Sequence, residues 1–436
     1  MRVYVEAFGC AQNLGEATAI DRATTAAGHS VVRDPGLADV GVLVTCGVIG
    51  PTEARMVRRY RALVERVPHV IVTGCLVPMR TALLGGPGID RTSFVPIREQ
   101  ARIPDLISRL GPATPPPLPA GPEAGPASAT EEVVIAQGCT SACSYCFSRL
   151  ARGHLMSVPP LDVLSRVAAA RDRGAAEVRL SSLDTSCWGE DVPASGGLPS
   201  LLESVGELPG DFQVRLGMMS PQSLGPISGR VFQALRHPKF FRFLHLPVQS
   251  GDDRVLHEMR RGYSVEQFRQ LVQEARDFLP DLMLSTDVIV GFPTEGEAEF
   301  EATLRLIDSV APEVVNVTRF SPRPMTPAAR LRPLPSSVVK RRSRALTELR
   351  MRVARRRLER WIGWEGDVRV VEAGRDGTSV ARMPNYLPVV LPDRRAVGQR
   401  VHLRVDGARS TFLFGRPAAT AGLRGPEARE ASTVVG

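Results

Sequence analysis

Short apolar runs alternate with helical stretches along most of the chain. Three runs near the N-terminus, VYVEAF, VGVLVT and HVIVTG, are rich in β-branched residues, as buried strands are. The stretches between them, Ala17–Ala27 and Pro51–Val67, have helical character, and the second begins with Pro-Thr-Glu, a common helix start. Strand–helix alternation predicts a parallel sheet, so the N-terminal part is expected to be a doubly wound α/β domain.

The central part of the chain repeats this alternation over a longer stretch. Strand-like runs such as EEVVIAQ, EVRLSSL, FQVRLGMM, FRFLHLPV and LMLSTDVIVGF are separated by helical stretches that include Pro160–Arg173 and Val265–Phe278. Repeated β/α units up to about Phe320 predict a partial barrel of parallel strands. A long Arg-rich helix is expected at Lys340–Arg360, and the short strands of Gly366–Arg416, broken by DG and PN turns, predict a small β-barrel.

Composition shifts mark the boundaries between these parts. The segment Gly111–Thr130 is rich in Pro, Gly and Ala and is predicted to be an extended linker. The tail from Pro417 is poor in aromatic residues and is predicted to be disordered. The predicted organisation is an N-terminal domain (1–110), a linker (111–130), a central barrel with the basic helix (131–360), a β-barrel (361–416) and a tail (417–436).

The charge balance of the chain is basic. The formal net charge is +9, and Lys340–Arg360 alone holds ten Lys or Arg against two Glu. Such a stripe predicts a nucleic-acid partner, because cationic side chains neutralise phosphates without sequence preference. The alternative is a solvated helix face that bridges two domains. No apolar run approaches the roughly 20 residues that a membrane helix needs, and the first residues lack a secretory signal.

Three cysteines stand within eight residues in QGCTSACSYC: Cys139, Cys143 and Cys146. Their odd number and short loops exclude sensible disulfide pairing. A zinc site would need a fourth Cys or His nearby, and the offset of His154 fits no common zinc spacing. Three thiolates leave one iron of an iron–sulfur cubane open, and an open position binds a substrate or cofactor.

A second set of three cysteines is dispersed over the first eighty residues. Cys10, Cys46 and Cys75 each follow one of the three predicted N-terminal strands. Their spacings of 36 and 29 residues each match about one βαβ unit, so all three belong at the carboxyl edge of one parallel sheet. We interpret them as the ligands of a second cluster. Thiolate ligands need a reducing compartment, so a cytoplasmic location is expected.

These residues resemble a known family. CxxxCxxC with Tyr145 before its last cysteine resembles the cluster loop of radical S-adenosylmethionine (SAM) enzymes. The phrases FGCAQN, TCGVIGPTEARM, LARG, SSLDTSCWG, HLPVQSGDDRVLHEMRRGY, DVIVGFPTE and ARMPNYLPVV are similar to those of radical SAM methylthiotransferases. The resemblance is strongest to the archaeal and eukaryotic type that modifies N6-threonylcarbamoyladenosine in tRNA. It covers nearly the whole chain and implies an auxiliary-cluster domain, a radical-SAM barrel and a C-terminal TRAM β-barrel.

The resemblance also implies a set of site residues. The two [4Fe–4S] clusters would be held by the two cysteine triads. SAM contacts are expected from the barrel strand ends, and substrate or RNA contacts from the Arg-x-Tyr phrase and the β-barrel. The expected cofactor-binding residues are Tyr145, Asp184, Gln249, Gly291 and Glu295, and the expected substrate- or RNA-binding residues are Arg261, Tyr263, Arg382, Asn385 and Tyr386.

The implied reaction is methylthiolation of an unactivated C–H bond. A deoxyadenosyl radical made from SAM at the tight triad would abstract hydrogen from C2 of the modified adenosine. The auxiliary cluster would carry the sulfur, methylated by a second SAM. The expected partners are tRNA and an electron donor such as flavodoxin or ferredoxin, with no membrane, and the protein is expected to be a monomer.

Two alternatives remain open at this point. The same chemistry could act on a protein side chain, a peptide or a specialised metabolite, because Gly15, Glu16 and Ala17 depart from the acidic, Thr-containing helix start of the tRNA-modifying branch. A non-catalytic iron–sulfur RNA-binding protein is the other alternative, although a pure binder has no need of an intact CxxxCxxC.

Overall fold

The computed structural model describes residues 1–48, 50–86, 88–111 and 129–418. The predicted linker and the predicted tail lie almost entirely outside these residues. Across this part of the chain, helices and strands follow the expected alternation. In the N-terminal part they are β1 (Arg2–Ala7), α1 (Ala11–Ala26), β2 (Ser30–Val32), β3 (Val40–Thr45), α2 (Gly50–Arg66), β4 (His69–Gly74), α3 (Val77–Arg80), β5 (Thr92–Phe94) and α4 (Ile103–Leu110).

The N-terminal strands form one parallel sheet in the order β2-β1-β3-β4-β5. The central strand β3, VGVLVT, is buried along its whole length, which explains its unbroken apolar run. Apolar clusters cover both faces: α2 contributes Tyr60 and Leu63 on one, while α1 contributes Ile20 and α4 contributes Ile103 on the other. The predicted doubly wound sheet is confirmed.

The central part contains β6 (Thr130–Val134), β7 (Ala136–Gln137), α5 (Phe147–Arg152), β8 (Met156–Ser157), α6 (Pro160–Asp172), β9 (Glu177–Ser181), α7 (Gly197–Glu207), β10 (Gln213–Leu216), α8 (Pro221–Leu224), α9 (Ser228–Ala234), β11 (Phe243–His245), α10 (Asp253–Glu258), α11 (Val265–Phe278), β12 (Met283–Val290), α12 (Glu297–Val310), β13 (Val314–Arg319) and α13 (Ser336–Glu359). Two parallel sheets, β10-β9-β6 and β11-β12-β13, meet through parallel bridges at Val214–Phe240 and Met218–His245. Together they form the expected partial barrel. Short 3-10 helices lie at Pro35–Leu37, Thr81–Leu84, Ile89–Arg91, Ile97–Arg102, Thr185–Cys187, Gly225–Ile227 and Pro327–Arg330.

The last five strands form a separate closed barrel in the order β14-β15-β16-β18-β17. They are β14 (Glu365–Ala373), β15 (Ser379–Arg382), β16 (Pro388–Leu391), β17 (Arg400–Ala408) and β18 (Leu413–Pro417). Its core is continuous with Phe241 and Phe243 of the central part, so the small barrel is packed firmly against the larger one. Of the helices described, none has the length and apolar character to cross a membrane.

Candidate active site

The three cysteines of the CxxxCxxC run line one cavity of about 260 Å³ in the mouth of the partial barrel. Each of the three sulfur atoms accepts a hydrogen bond. The donors are Ser141 N to Cys139 and Arg149 N to Cys146, both at 3.4 Å, and Arg261 Nη1 to Cys143 at 3.1 Å. The backbone donors to Cys139 and Cys146 favour the thiolate over the thiol at these two sulfurs, so this loop is arranged to hold negative charge.

Burial opposes ionisation of the free thiols in this loop. It raises the pKa of Cys146 to about 12, with a further contribution from Cys143, and it also raises the pKa of Cys139. A buried thiolate therefore needs a compensating positive centre, which a metal supplies. In the described part of the chain no three His, Cys, Asp or Glu are grouped to hold a metal ion. A cluster site does not require this, because each cysteine binds a different iron atom.

Backbone contacts bring the three dispersed cysteines together at the carboxyl edge of the N-terminal sheet. Cys46 and Cys75 directly follow β3 and β4, and the N–H of Cys75 donates to Thr45 O at 2.9 Å. Gly9 has φ +120°, and a Cβ there would lie 2.8 Å from the sulfur of Cys46. Cys10 follows as the N-cap of α1, so its side chain lies at the N-terminus of that helix.

The dispersed thiols differ in burial. Cys10 is exposed, whereas burial raises the pKa of Cys75 to about 12 and also raises the pKa of Cys46. The positive charge of Arg152 acts in the opposite direction on Cys46 and Cys75. One exposed and two buried sulfurs leave an accessible side, so the residues present fit a three-cysteine cluster with an open position.

Arg152 reaches this site from the other cysteine-bearing domain. It ends α5, six residues after Cys146, and its guanidinium forms an ion pair with Glu16 in which both side chains are almost fully buried. The same guanidinium donates to Asn13 Oδ1 at 2.7 Å. Since Asn13 lies one turn after Cys10, Arg152 links the two cysteine sites structurally.

A second buried arginine crosses the same boundary. Arg323, which follows β13, forms an ion pair with Glu53 of α2, and its guanidinium lies 4.8 Å from the ring centroid of Phe147. A Cβ on Gly47 would lie 2.7 Å from the Phe147 ring, so the loop after Cys46 is packed directly on α5. Val48 of that loop lines the same cavity as the tight cysteine run. The N-terminal sheet edge therefore closes over the barrel mouth.

The structure brings three of the five predicted SAM-site residues and one predicted substrate contact into this cavity. The three are Tyr145, Asp184 and Gln249, and the substrate contact is Arg261. Gln249 has φ +69°, a left-handed conformation that is uncommon for residues other than glycine. Its backbone is held there by hydrogen bonds to both neighbours of Val288 on β12.

Serine residues hold Asp184 in place. Its carboxylate accepts hydrogen bonds from the hydroxyls of Ser186 at 2.5 Å and Ser223 at 2.6 Å and from Ser220 N at 3.1 Å. Burial raises the pKa of Asp184, and these hydrogen bonds oppose the rise. Asp184 thus ties the ends of β9 and β10 together at the cavity wall.

Tyr263 acts on Arg261 rather than lining the cavity itself. Its hydroxyl donates to Val248 O at 2.9 Å and accepts from Arg261 Nε at 3.1 Å. The guanidinium of Arg261 also donates to Ser220 Oγ at 3.2 Å, in addition to the Cys143 sulfur. Tyr263 is therefore a positioning residue that orients Arg261 toward the cluster loop.

Gly291 and Glu295 lie outside the cavity lining. Glu295 is buried, accepts from Gly291 N at 3.0 Å, and pairs with Arg342 of α13 at 2.7 Å. A Cβ on Gly291 would meet Val339 of the same helix at 2.7 Å. In the structure both residues anchor α13 to the barrel.

Two of the three predicted RNA contacts of the β-barrel, Tyr386 and Asn385, need correction. Tyr386 is buried between Phe241 and Phe243, with its hydroxyl on Glu177 at 2.9 Å and the Arg382 guanidinium 4.4 Å from its ring centroid. Asn385 is also buried and donates to Asp281 O at 3.1 Å. Tyr386 and Asn385 therefore lie between the two barrels, and the buried Tyr386 ring is not available to stack on a base.

Half of the cationic side chains on the basic helix already form ion pairs within the protein. Five of the ten cations in Lys340–Arg360 form ion pairs. The pairs are Arg341–Glu297, Arg342–Glu295, Arg355–Glu359, Arg356–Asp308 and Arg357–Glu313. Four of these join α13 to the central barrel, which supports the alternative of a helix that bridges domains. At most half of the cations in the phosphate-binding stripe predicted from charge alone therefore remain available to bind phosphate.

Sequence reasoning missed the ion pairs that cross between the domains. Arg152 stood in the quoted LARG phrase and Glu53 in the PTE phrase, while Glu16 was noted only as a departure. No local pattern pairs residues 136 positions apart, as Arg152 and Glu16 are.

Comparison with known proteins defines the class. Residues 133–307 match the model of the radical SAM superfamily, residues 2–85 that of the uncharacterized protein family UPF0004, and residues 360–418 that of the TRAM domain. The structure of the radical SAM methyltransferase TsrM from Kitasatospora setae, with cobalamin and a [4Fe–4S] cluster bound, superposes with a TM-score of 0.56 at 13% identity. That match covers 75% of this chain and 76% of the other, and it shows that the fold is that of radical SAM enzymes.

Curated relatives narrow the class to a family. A Pyrococcus horikoshii protein described as a "probable threonylcarbamoyladenosine tRNA methylthiotransferase" is 36% identical, over 95% of this chain and 99% of its own length. The Danio rerio threonylcarbamoyladenosine tRNA methylthiotransferase is 31% identical, over 97% of this chain and 79% of its own length. The chain belongs to this family of radical SAM methylthiotransferases, as its sequence motifs predicted.

Proposed function

We propose that this enzyme inserts a methylthio group into the C2–H bond of N6-threonylcarbamoyladenosine in tRNA. The observation that carries the proposal is the position of Val48, two residues after Cys46, in the lining of the cavity that holds the three cysteines of the tight run. A cavity lined by the tight triad and by the loop that follows Cys46 allows a carbon activated at one site to receive a group delivered from the other. The identity of the nucleoside is taken from the descriptions of the relatives.

The proposed cofactors are SAM and two [4Fe–4S] clusters, with Cys139, Cys143 and Cys146 holding one and Cys10, Cys46 and Cys75 the other. When bound, the first supplies the electron that cleaves SAM, and the second supplies the sulfur of the methylthio group. The remaining chemistry is positioning by the protein: hydrogen bonds hold the sulfurs of the tight triad, and apolar side chains limit water around the reacting carbon. Those side chains are Met218, Met219, Ile289 and Phe320.

RNA binding is supported by a groove at the boundary between the two barrels. The groove, of about 500 Å³, is lined by Arg236, Lys239, Arg242, Arg369, Arg382 and Arg400 against only two carboxylates, Asp211 and Asp367. Arg369 and Arg400 share the single carboxylate of Asp211, so the groove keeps an excess of positive charge that suits the phosphate backbone of RNA. The remaining proposed features are a flavodoxin or ferredoxin as electron donor, a monomeric state and a cytoplasmic location.

The function is tested in an anaerobic assay. Reconstituted protein, reductant and SAM are mixed with tRNA that carries threonylcarbamoyladenosine, and the digested nucleosides are analysed by mass spectrometry. We expect a methylthio adduct on that nucleoside with the wild type and none with Cys143→Ala or Cys46→Ala. Cys187→Ala, which removes a buried thiol outside both triads, is the matched control. Formation of 5′-deoxyadenosine with unchanged tRNA would refute the tRNA substrate and direct the search to peptides and metabolites.

A further inference from the structure

Six arginine and aspartate residues line the active-site cavity, and five of them contact other residues of the protein. They are Arg149, Asp184, Arg261, Asp287, Arg319 and Arg323. Asp184 is held by serines, Arg261 by Cys143 and Tyr263, and Arg323 by Glu53, as described above. Arg149 contacts His154 at 2.8 Å, and Asp287 contacts His245 at 2.9 Å and Asn316 at 2.7 Å.

Arg319 is different. Its side chain is exposed and forms no hydrogen bond or ion pair with any residue in the described ranges. It is the last residue of β13, in register with Val290 of β12, and so belongs to the carboxyl edge of the barrel where substrates enter. The neighbouring Thr318 also lines the cavity with its hydroxyl unpartnered in the same part of the chain.

A free guanidinium at a cavity mouth selects for a particular substrate group. Its forked N–H donors match a carboxylate in two parallel hydrogen bonds. The threonylcarbamoyl group carries the α-carboxylate of an amino acid, which is ionised at neutral pH. Unmodified adenosine offers no negative charge at this position of the base. We propose that Arg319 binds the carboxylate of the substrate nucleoside and determines the enzyme's specificity for it.

This inference rests on the proposed function, and its test uses two RNAs that differ at that carboxylate. One anticodon stem-loop carries N6-threonylcarbamoyladenosine, and the other carries its methyl ester, which is neutral. The reconstituted full-length enzyme is compared with Arg319→Gln and Arg319→Lys, and with Arg332→Gln as a matched exposed arginine outside the cavity. Dissociation constants are measured by fluorescence anisotropy, and thermal unfolding verifies that each variant is folded.

Wild type and Arg332→Gln are expected to bind the acid at least about tenfold more tightly than the ester, as for a hydrogen bond to a charged group. Arg319→Gln should bind both RNAs with the affinity that the wild type has for the ester. Arg319→Lys should recover part of the preference, because it keeps the charge without the fork. In turnover, Arg319→Gln should raise KM for the acid and leave KM for the ester unchanged.

The other outcomes are decisive in different ways. If Arg319→Gln keeps the preference for the acid, or loses affinity for both RNAs equally, Arg319 does not recognise the carboxylate and the inference is overturned. Equal binding of acid and ester by the wild type overturns it as well. In each case methylthiolation of the acid by the wild type would leave the proposed function intact. Failure of the wild type to bind or modify the acid RNA would refute both.

Discussion

Arg152 and Glu16 form a buried ion pair that joins the loop of one cysteine triad to the helix that begins at the other. Arg152 follows Cys146 on α5, and Glu16 lies on α1, which Cys10 caps. Their contact is extended by Gln137 Nε2, which donates to Glu16 at 2.7 Å. The pair therefore fixes the distance between two sites that the proposed reaction must use together.

Breaking this pair should be costly. Arg152→Gln or Glu16→Gln leaves an uncompensated buried charge, so each is expected to lower the free energy of unfolding by about 3–5 kcal/mol. Chemical denaturation of the apoprotein measures this. Arg66→Gln removes an exposed ion pair with Asp34 and should cost less than about 1 kcal/mol. Equal effects of Arg66→Gln and Arg152→Gln would show that burial does not strengthen the second pair.

A substitution of Gly9 tests the cluster site of Cys10, Cys46 and Cys75 separately from that of the CxxxCxxC run. Gly9→Ala would place a Cβ against the Cys46 sulfur in a backbone conformation that alanine rarely adopts. We expect reconstituted iron to fall from about eight to about four atoms per chain. Cleavage of SAM to 5′-deoxyadenosine should persist, because the tight triad is untouched.

Gly225→Ala is the matched control for this experiment, since nothing lies within 4 Å of the added Cβ and its φ is not positive. Full iron content in Gly9→Ala would contradict the assignment of the dispersed cysteines to a cluster.

A substitution of Tyr386 tests whether this residue packs between the two barrels or stacks on an RNA base. Tyr386→Leu removes packing on Phe241 and the hydrogen bond to Glu177, so it should lower stability by about 2–3 kcal/mol. The Kd for tRNA should stay within about twofold in filter binding at a temperature where the variant is folded. A loss of tenfold or more would instead be the signature of a stacked base, which is worth about 1–3 kcal/mol.

The stabilising contact between Asp211 of the central barrel and the small barrel should depend on pH. Hydrogen bonds from Arg369 and then Arg400 lower its pKa from 3.8 to about 2. The unfolded state therefore binds more protons between these values, and the stabilisation present above about pH 4 is lost as the pH falls toward 2.

The contribution of Asp211 to the free energy of unfolding is small, because its carboxylate is 62% exposed. We expect less than about 1 kcal/mol. The Tm of Asp211→Asn should lie below that of the wild type by a constant amount from pH 7 to 5. The difference should shrink below pH 4, and a difference that persists unchanged to pH 3 would exclude this linkage.

The sequence alone predicted the order of strands and helices with small errors at their ends. Residues 265–278 form the predicted helix without any shift, whereas α1 starts at Ala11, six residues before the expected position. The early start has a local reason. The buried face of α1 holds Gln12, Asn13 and Glu16, which pair with the central barrel and carry no apolar periodicity.

The site residues divide in the same way. Cys10, Cys46 and Cys75 could be predicted because strand ends of a parallel sheet share one edge, and CxxxCxxC because its spacing is local. Tyr386 was placed on RNA because an exposed and a buried aromatic residue look alike in a sequence. Only its contacts with Phe241, Phe243 and Glu177 show that it lies between the barrels.

By itself the sequence determined the α/β fold class, the two cysteine triads and the family, since each rests on periodicity or spacing within short segments. The tertiary structure decided which charges remain available for function. Arg152, Arg323 and Arg342 are neutralised by carboxylates far away in the chain, whereas Arg319 has no such partner among the residues that the structure describes. An ion pair depends on where two side chains meet in space, and no one-dimensional pattern encodes that.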